Sequence, residues 1–316
     1  MTATPHDALL TDNRSARLAG IGLMLLGVCL FSFGDALGKH LVATYAVGQF
    51  LLLRSIASLI VMSPLIWRNR ASFARIEQPK WQLLRVTLSG TEVAAFFIAA
   101  VYLPLADIIT YYLAAPIFVT AGSAIFLKEH VGWRRWSAVA VGFCGVLIAL
   151  QPSPQSLSWP ALIALTGSLS FAGLMLVTRS LRRTPDIVLA ATQFSSTLVM
   201  GAIAAPFAWV TPTGGDFALF MLGGFISVGA LLSINRSLIL APASVVVPYQ
   251  YSMIIWAVAF GYIVFGDIPS TATFIGAAVI IAAGLYIFLR EQAQSRVAQG
   301  NPRAGRDATI INPPPA

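Results

Sequence analysis

Three ionisable side chains, Asp35, Arg54 and Glu92, stand inside long apolar runs of the sequence. A charge within such a run is costly and ordinarily faces water or a protein interior, so each is a candidate for function. Asp35 precedes Lys39 by four residues, which places both on one helical face with the acid on the N-terminal side. That spacing fits a substrate or proton site facing a cavity, and it equally fits an ion pair at the outer end of a helix. Glu92 lies among Leu88, Ser89, Gly90, Thr91, Val93 and Ala94 with no base on its own run. It is the candidate to bind a cationic group or carry a proton; the alternative is a neutral, hydrogen-bonded glutamic acid. Arg54 is permanently charged, and its expected role is a structural ion pair with Asp35 or Glu92, ahead of contact with an anionic substrate. Arg236 is expected to snorkel from the inner end of its run, which leaves Asn235 as the pocket candidate there.

Aromatic-polar clusters form the second group. Thr110-Tyr-Tyr112 and Tyr249-Gln-Tyr251 sit near Pro116 and Pro248, with Tyr111 and Tyr249 138 residues apart. The prolines would loosen nearby backbone hydrogen bonds. Tyr111, Tyr112, Tyr249 and Tyr251 offer faces for a planar ligand, Gln250 a polar edge, and Trp256 a closing wall. The alternative is helix packing, with the tyrosines bonded across helices. Asp107 suits a helix N-terminus, and Lys128, Glu129 and Asp267 read as anchors or caps. Gly122, Ser123 and Ala124, and Ala257, Ala259 and Gly261, permit close helix contact.

Metal and cofactor chemistry finds no support. His6, His40 and His130 are scattered, Cys29 and Cys144 read as small buried thiols, and no phosphate-binding glycine loop or hydrolase signature occurs. No cofactor is expected, and direct drive by ATP within this chain is not.

The elements that must position these residues are membrane helices. The chain is 57% hydrophobic and only 10% charged. Apolar runs cover 18–38, 48–67, 83–103, 107–127, 133–150, 158–178, 187–210, 217–239, 243–265 and 272–289. They are long and do not alternate, so they predict an all-α polytopic membrane protein of ten transmembrane helices rather than a barrel. The first run is expected to be a retained helix, not a removed signal peptide. Residues 1–17 and 290–316 read as polar tails, the second as disordered.

Eighteen of the twenty Lys and Arg fall in the tails and alternate loops on one side; Lys39 alone falls on the other, and Arg54 lies within a span. That asymmetry predicts cytoplasmic termini in an inner membrane. It also explains the net charge of +8 without nucleic acid, since no compact basic module is present. Trp67, Trp81, Trp133, Trp136, Trp159 and Trp209 fall near span ends, where an indole prefers the interface.

The chain also repeats itself weakly. Gly27–Phe31 resembles Gly167–Phe171 and Lys39 falls on Arg179, both 140 residues on; Pro104 falls on Pro242 and Glu129 on Asp267, both 138 on; Gly145 falls on Gly284, 139 on. The units are 18–150 and 158–289. Five spans per unit is an odd number, so the second unit is expected to be inverted, the arrangement that supports alternating access around a midplane site.

The segments Leu103-Pro-Leu-Ala-Asp107, Ala115-Pro116, Phe126-Leu-Lys-Glu-His130, Gly132-Trp-Arg-Arg-Trp136 and Val141-Gly-Phe-Cys-Gly-Val146, followed by Ala241-Pro-Ala-Ser244, Pro248-Tyr-Gln-Tyr251 and Phe265-Gly-Asp267, resemble the drug/metabolite transporter superfamily of the EamA-domain type. The resemblance spans nearly the whole chain and departs from the family in Asp267, where Glu is commoner. It implies ten helices in two inverted halves, cytoplasmic termini and a central cavity. Members carry amino acids, nucleobases, vitamins or S-adenosylmethionine. The Pro-Tyr-x-Tyr and Phe-x-Asp-x-Pro runs are most similar to S-adenosylmethionine uptake carriers, with riboflavin carriers the second possibility.

The expected function is therefore a secondary transporter of a small organic metabolite, not an enzyme, with uptake favoured over export. Its partners are that metabolite and the lipid bilayer, with no nucleic acid; a homodimer is left open. A membrane-embedded enzyme or non-transporting receptor is the competing class.

Overall fold

The computed structural model describes the backbone of residues 5–73, 78–126, 133–150, 158–181, 184–240 and 246–300. Among these residues every regular element is helical. The first half holds α1 (Pro5–Val42), α2 (Val47–Arg68), the short α3 (Arg70–Phe73), α4 (Pro79–Ala100), α5 (Leu105–Leu113), α6 (Ala115–Phe126) and α7 (Trp133–Leu150). The second holds α8 (Trp159–Ser180), α9 (Asp186–Ala204), α10 (Gly214–Leu240), α11 (Met253–Phe260) and α12 (Thr271–Gly300). Six of these helices are long and apolar enough to cross a membrane, and four further apolar segments are shorter. The chain is a multi-pass membrane protein. Trp67, Trp81, Trp133, Trp136, Trp159 and Trp209 are all exposed at or beside helix ends.

Two of the apolar segments are broken rather than continuous. The chain pauses at Ala114 between α5 and α6, where Ile117 N donates to Ala114 O in a tight turn of 2.9 Å. Pro116 follows immediately and cannot supply an amide proton. In the second half, Val247–Ser252 is a 3-10 turn that leads into α11, and Gly261–Phe265 then widens into a π turn. Gly266 closes that turn with φ 71°, the left-handed conformation that glycine adopts without a Cβ clash.

The helices pair in a specific order. α1 packs on α10 and α4 on α8; α2 packs on α9, and α7 on α12. Weaker contacts join α2 to α10, α4 to α9, α1 to α11 and α5 to both α8 and α11. Glycine sets the closest of these approaches. A Cβ on Gly276 would lie 2.7 Å from the Gly145 carbonyl oxygen, so α7 and α12 cross backbone to backbone.

Several expectations change. α1 begins at Pro5 and α12 runs on to Gly300, well into the segments read as tails. Hydropathy marks the apolar core and not the helix ends, and residues such as Glu291, Gln292 and Ala293 are good helix formers. Arg85, counted as a loop residue, lies inside α4 and is almost wholly buried. Cys144 is exposed and Cys29 half-buried. The expectations for Lys128, Glu129 and Ala241–Ser244, and for the tail beyond Gly300, lie outside the described residues.

Candidate functional site

Asp35, Arg54 and Glu92 come together. They sit on α1, α2 and α4; Arg54 and Glu92 each feel both other charges, and Asp35 feels that of Arg54. All three are half-buried, although each lies at least two turns inside its helix. They are therefore set away from the helix ends, where α1, α2 and α4 contact one another.

The packing that holds Arg54 explains its position. Its Nε donates to Ser227 Oγ on α10 at 2.9 Å, and Ser227 Oγ donates in turn to the Gly223 carbonyl at 2.7 Å. The guanidinium lies over two ring faces, 5.7 Å from the centroid of Phe50 and 5.3 Å from that of Phe97. Those rings are 4.4 Å apart and buried. Gly38, one turn beyond Asp35, lets α1 close onto both. The expected ion pair at Arg54 is not formed: among the described residues it pairs with neither carboxylate. Aromatic faces and one hydroxyl hold the cation instead.

Tyr112 joins this group. Its hydroxyl donates to the Glu92 carbonyl at 3.0 Å and senses the Glu92 and Asp35 charges, while its ring meets Phe96 edge-on at 5.4 Å. Tyr111 is turned away and buried in the core, where its carbonyl accepts from Ser168 Oγ at 2.7 Å. The two tyrosines thus divide, Tyr112 beside the charged group and Tyr111 in the core.

The second-half candidates do not join the charges. On α1, Met24 and Val28 pack by Trp256, Phe33 lies 5.5 Å from Phe260, and Lys39 meets Phe265. Trp256 therefore lies about two turns of α1 below Asp35. Its Nε1 is buried without a partner, and its ring stacks on Phe260 at 6.1 Å. Tyr249 is exposed, Gln250 and Tyr251 are half-buried, and the Tyr251 hydroxyl lies against Gly284 of α12. Asn235 is half-buried on α10, beside an exposed Arg236.

A separate cluster closes the other end of α1. Lys39 Nζ donates to Asp267 Oδ2 at 2.7 Å and sits 4.6 Å from the Phe265 ring centroid. Beside it, Thr273 Oγ1 donates to Asp107 Oδ1 at 2.6 Å. Lys39 therefore pairs across the molecule with Asp267, not with Asp35 on its own helix. Further out, Tyr45 donates to Asp216 at 2.7 Å, and Gln49 exchanges two hydrogen bonds with the Val210 backbone at 2.6 and 3.0 Å. Nearer the opposite end, Arg85 pins α4 to α8 and α9 through Thr178 Oγ1 and the Leu189 carbonyl, both at 3.0 Å. Sequence reading missed this residue because its position next to a basic loop gave no sign of burial.

Comparison with known proteins matches residues 18–151 to the EamA-like transporter family. A riboflavin transporter of Rhizobium johnstonii is 30% identical over 235 residues, covering 74% of this chain and 78% of that one. An S-adenosylmethionine uptake transporter of Rickettsia felis is 25% identical over 291 residues, covering 91% and 98%. A solved crystal structure at 17% identity superposes with a TM-score of 0.58 over 89% of this chain and 99% of the other, and so shares the fold.

Proposed function

The chain belongs to the EamA-like transporter family, and from that premise we propose that it is a secondary carrier which moves a small organic metabolite across the inner membrane by alternating access. The observation that carries this reading is the half-buried Asp35, Arg54 and Glu92, grouped inside membrane-length helices below a closed Lys39–Asp267 pair. Charges so placed call for an aqueous interior. A carrier needs such a chamber with one mouth shut at a time.

The helix pairing supports ten spans in two inverted halves. Exchange the halves, and α1 on α10 becomes α8 on α4; α2 on α10 becomes α9 on α4; α2 on α9 and α7 on α12 map onto themselves. The two broken segments, α5–α6 and Val247–Phe265, also correspond. Discontinuous helices of this kind commonly line carrier sites. With cytoplasmic termini, the Lys39–Asp267 cluster closes the outer mouth and the cavity opens inward.

The preferred substrate is an S-adenosylmethionine-like metabolite taken up from outside, and riboflavin is the second reading. Asp35, Glu92 and Tyr112 line the site; Asn235, Tyr249, Gln250, Tyr251 and Trp256 line the route on its inner side. Counterflow in liposomes holding only this chain tests the reading. Labelled metabolite should exchange when unlabelled metabolite is inside. A folded sample that binds solutes yet exchanges none of them sinks it.

A further inference from the structure

We infer that the central site recognises a zwitterion: a substrate carboxylate on Arg54, and a substrate cation between Asp35 and Glu92. This rests on the carrier reading above and goes beyond it by assigning a charge pattern to the substrate.

The argument begins with what Arg54 has left to offer. Its Nε proton is committed to Ser227 Oγ, whose own proton is committed to the Gly223 carbonyl. Its central carbon lies 5.7 and 5.3 Å from the Phe50 and Phe97 ring centroids, so the two rings bound it on that side. The two Nη nitrogens carry the remaining N–H groups, and no acceptor meets them among the described residues. A guanidinium held at its Nε edge and bounded by two rings leaves its outer fork free, and such a fork suits a carboxylate in two parallel bonds.

The carboxylates are similarly unfinished. Neither Asp35 nor Glu92 has a side-chain hydrogen bond or ion pair among the described residues. Ser32 lies one turn before Asp35 and Ser89 one turn before Glu92, on the same helix faces. Both hydroxyls are buried without a partner. Two unbonded hydroxyls, two carboxylates without partners and the free fork of Arg54 make a site awaiting polar groups. A neutral planar solute that filled it would expel water and leave the three charges unpaired, at high cost. A solute bearing a carboxylate and an ammonium group completes both ends.

The test uses the full chain in liposomes, with S-adenosylmethionine and riboflavin as probes and with the methyl ester and N-acetyl derivative of the former as competitors. In the unaltered chain, S-adenosylmethionine should exchange, and either blocked derivative should compete at least tenfold more weakly than the free zwitterion. In Arg54→Gln the methyl ester and free acid should compete equally, while the N-acetyl derivative keeps its disadvantage. In Glu92→Gln the pattern should reverse. The derivative comparison in the unaltered chain needs no variant to fold. Exchange of riboflavin with indifference to the ester overturns the inference and leaves the carrier standing. If neither probe exchanges, a screen of amino acids and neutral metabolites decides: a transported solute lacking either charge overturns it. A folded sample that exchanges nothing sinks both readings.

Discussion

Two groups of charges lie one turn apart along α1 and are arranged in opposite ways. Lys39 is matched by Asp267 at 2.7 Å, and neighbouring Asp107 accepts from Thr273 at 2.6 Å. One turn inward, Asp35, Arg54 and Glu92 sense each other and do not pair. Each group sets one base against two acids, and the difference lies in the framework. Aromatic rings and Ser227 restrain Arg54 from swinging onto a carboxylate, whereas the Lys39 stem is free to reach across to the end of the π turn. Matched charges close a gap between helices. Unmatched charges, kept apart by packing, hold a place for a ligand.

The largest test of this contrast separates transport from stability. Asp35→Asn, Arg54→Gln and Glu92→Gln each remove a charge that the fold itself does not pair. Loss of a charged hydrogen bond to substrate corresponds to roughly 10- to 100-fold in affinity, so counterflow should fall to that degree. The melting temperature in detergent should hold or rise for Asp35→Asn and Glu92→Gln, because an unpaired charge has been removed, whereas Arg54→Gln also gives up the Ser227 bond and the ring contacts and should lower it slightly. A fall in melting temperature matching the loss of transport would mean that these residues hold the fold, and the contrast with the outer pair would collapse.

Ser227→Ala sharpens the same side of the comparison at somewhat smaller cost. Arg54 keeps its charge and its rings but loses the acceptor that fixes its Nε edge. Half-saturation for the substrate should rise about tenfold, with the maximal exchange rate nearly kept. Cation–ring contact alone would be enough to orient Arg54 if affinity did not change.

The sequence carried the inward group well and the pairing of its members poorly. Asp35 and Glu92 stood out because an acid inside an apolar run has few bland explanations. Arg54 was expected to be in an ion pair, because no periodicity reveals that Phe50 and Phe97, from two different helices, meet beneath it. Lys39 illustrates the same limit. Its helical neighbour Asp35 was visible at i, i+4, while its partner Asp267 lies 228 positions away. The Tyr111 and Tyr112 pair read as one aromatic cluster, yet adjacent residues on a helix point about 100° apart, so one entered the core and the other faced Glu92. The tails misled for another reason: helix continuation needs only helix-forming residues, and hydropathy does not report it.

The outer pair should yield smaller effects. Lys39 and Asp267 are partly solvated, with side-chain exposures of 14% and 28%, and such pairs contribute up to about 1 kcal/mol. Lys39→Ala or Asp267→Asn should therefore raise access from outside by about fivefold. An Asp35→Cys chain, with Cys29 and Cys144 replaced by serine, reports this through its rate of labelling by an impermeant thiol reagent. Joint exchange to Lys39→Asp and Asp267→Lys should restore the slow rate. No change in the single variants would mean that the pair is not the closing contact.

Thr273→Val is the mildest break. Valine keeps the shape of threonine, so α12 should pack as before, and only the hydrogen bond to Asp107 is lost. Asp107 would then keep the nearby Lys39 charge for company, and Ser270 remains to cap the start of α12 through the Thr273 amide at 3.1 Å. A lost hydrogen bond to Asp107, partly compensated by Lys39, is worth about 0.5 kcal/mol, so outside labelling at position 35 should rise roughly twofold, and substrate affinity of the Thr273→Val chain should not move. The comparison turns on that last clause. If Thr273→Val weakened substrate binding as much as Glu92→Gln, the outer cluster would belong to the binding site. One continuous polar track would then run along α1, in place of a lock above a pocket.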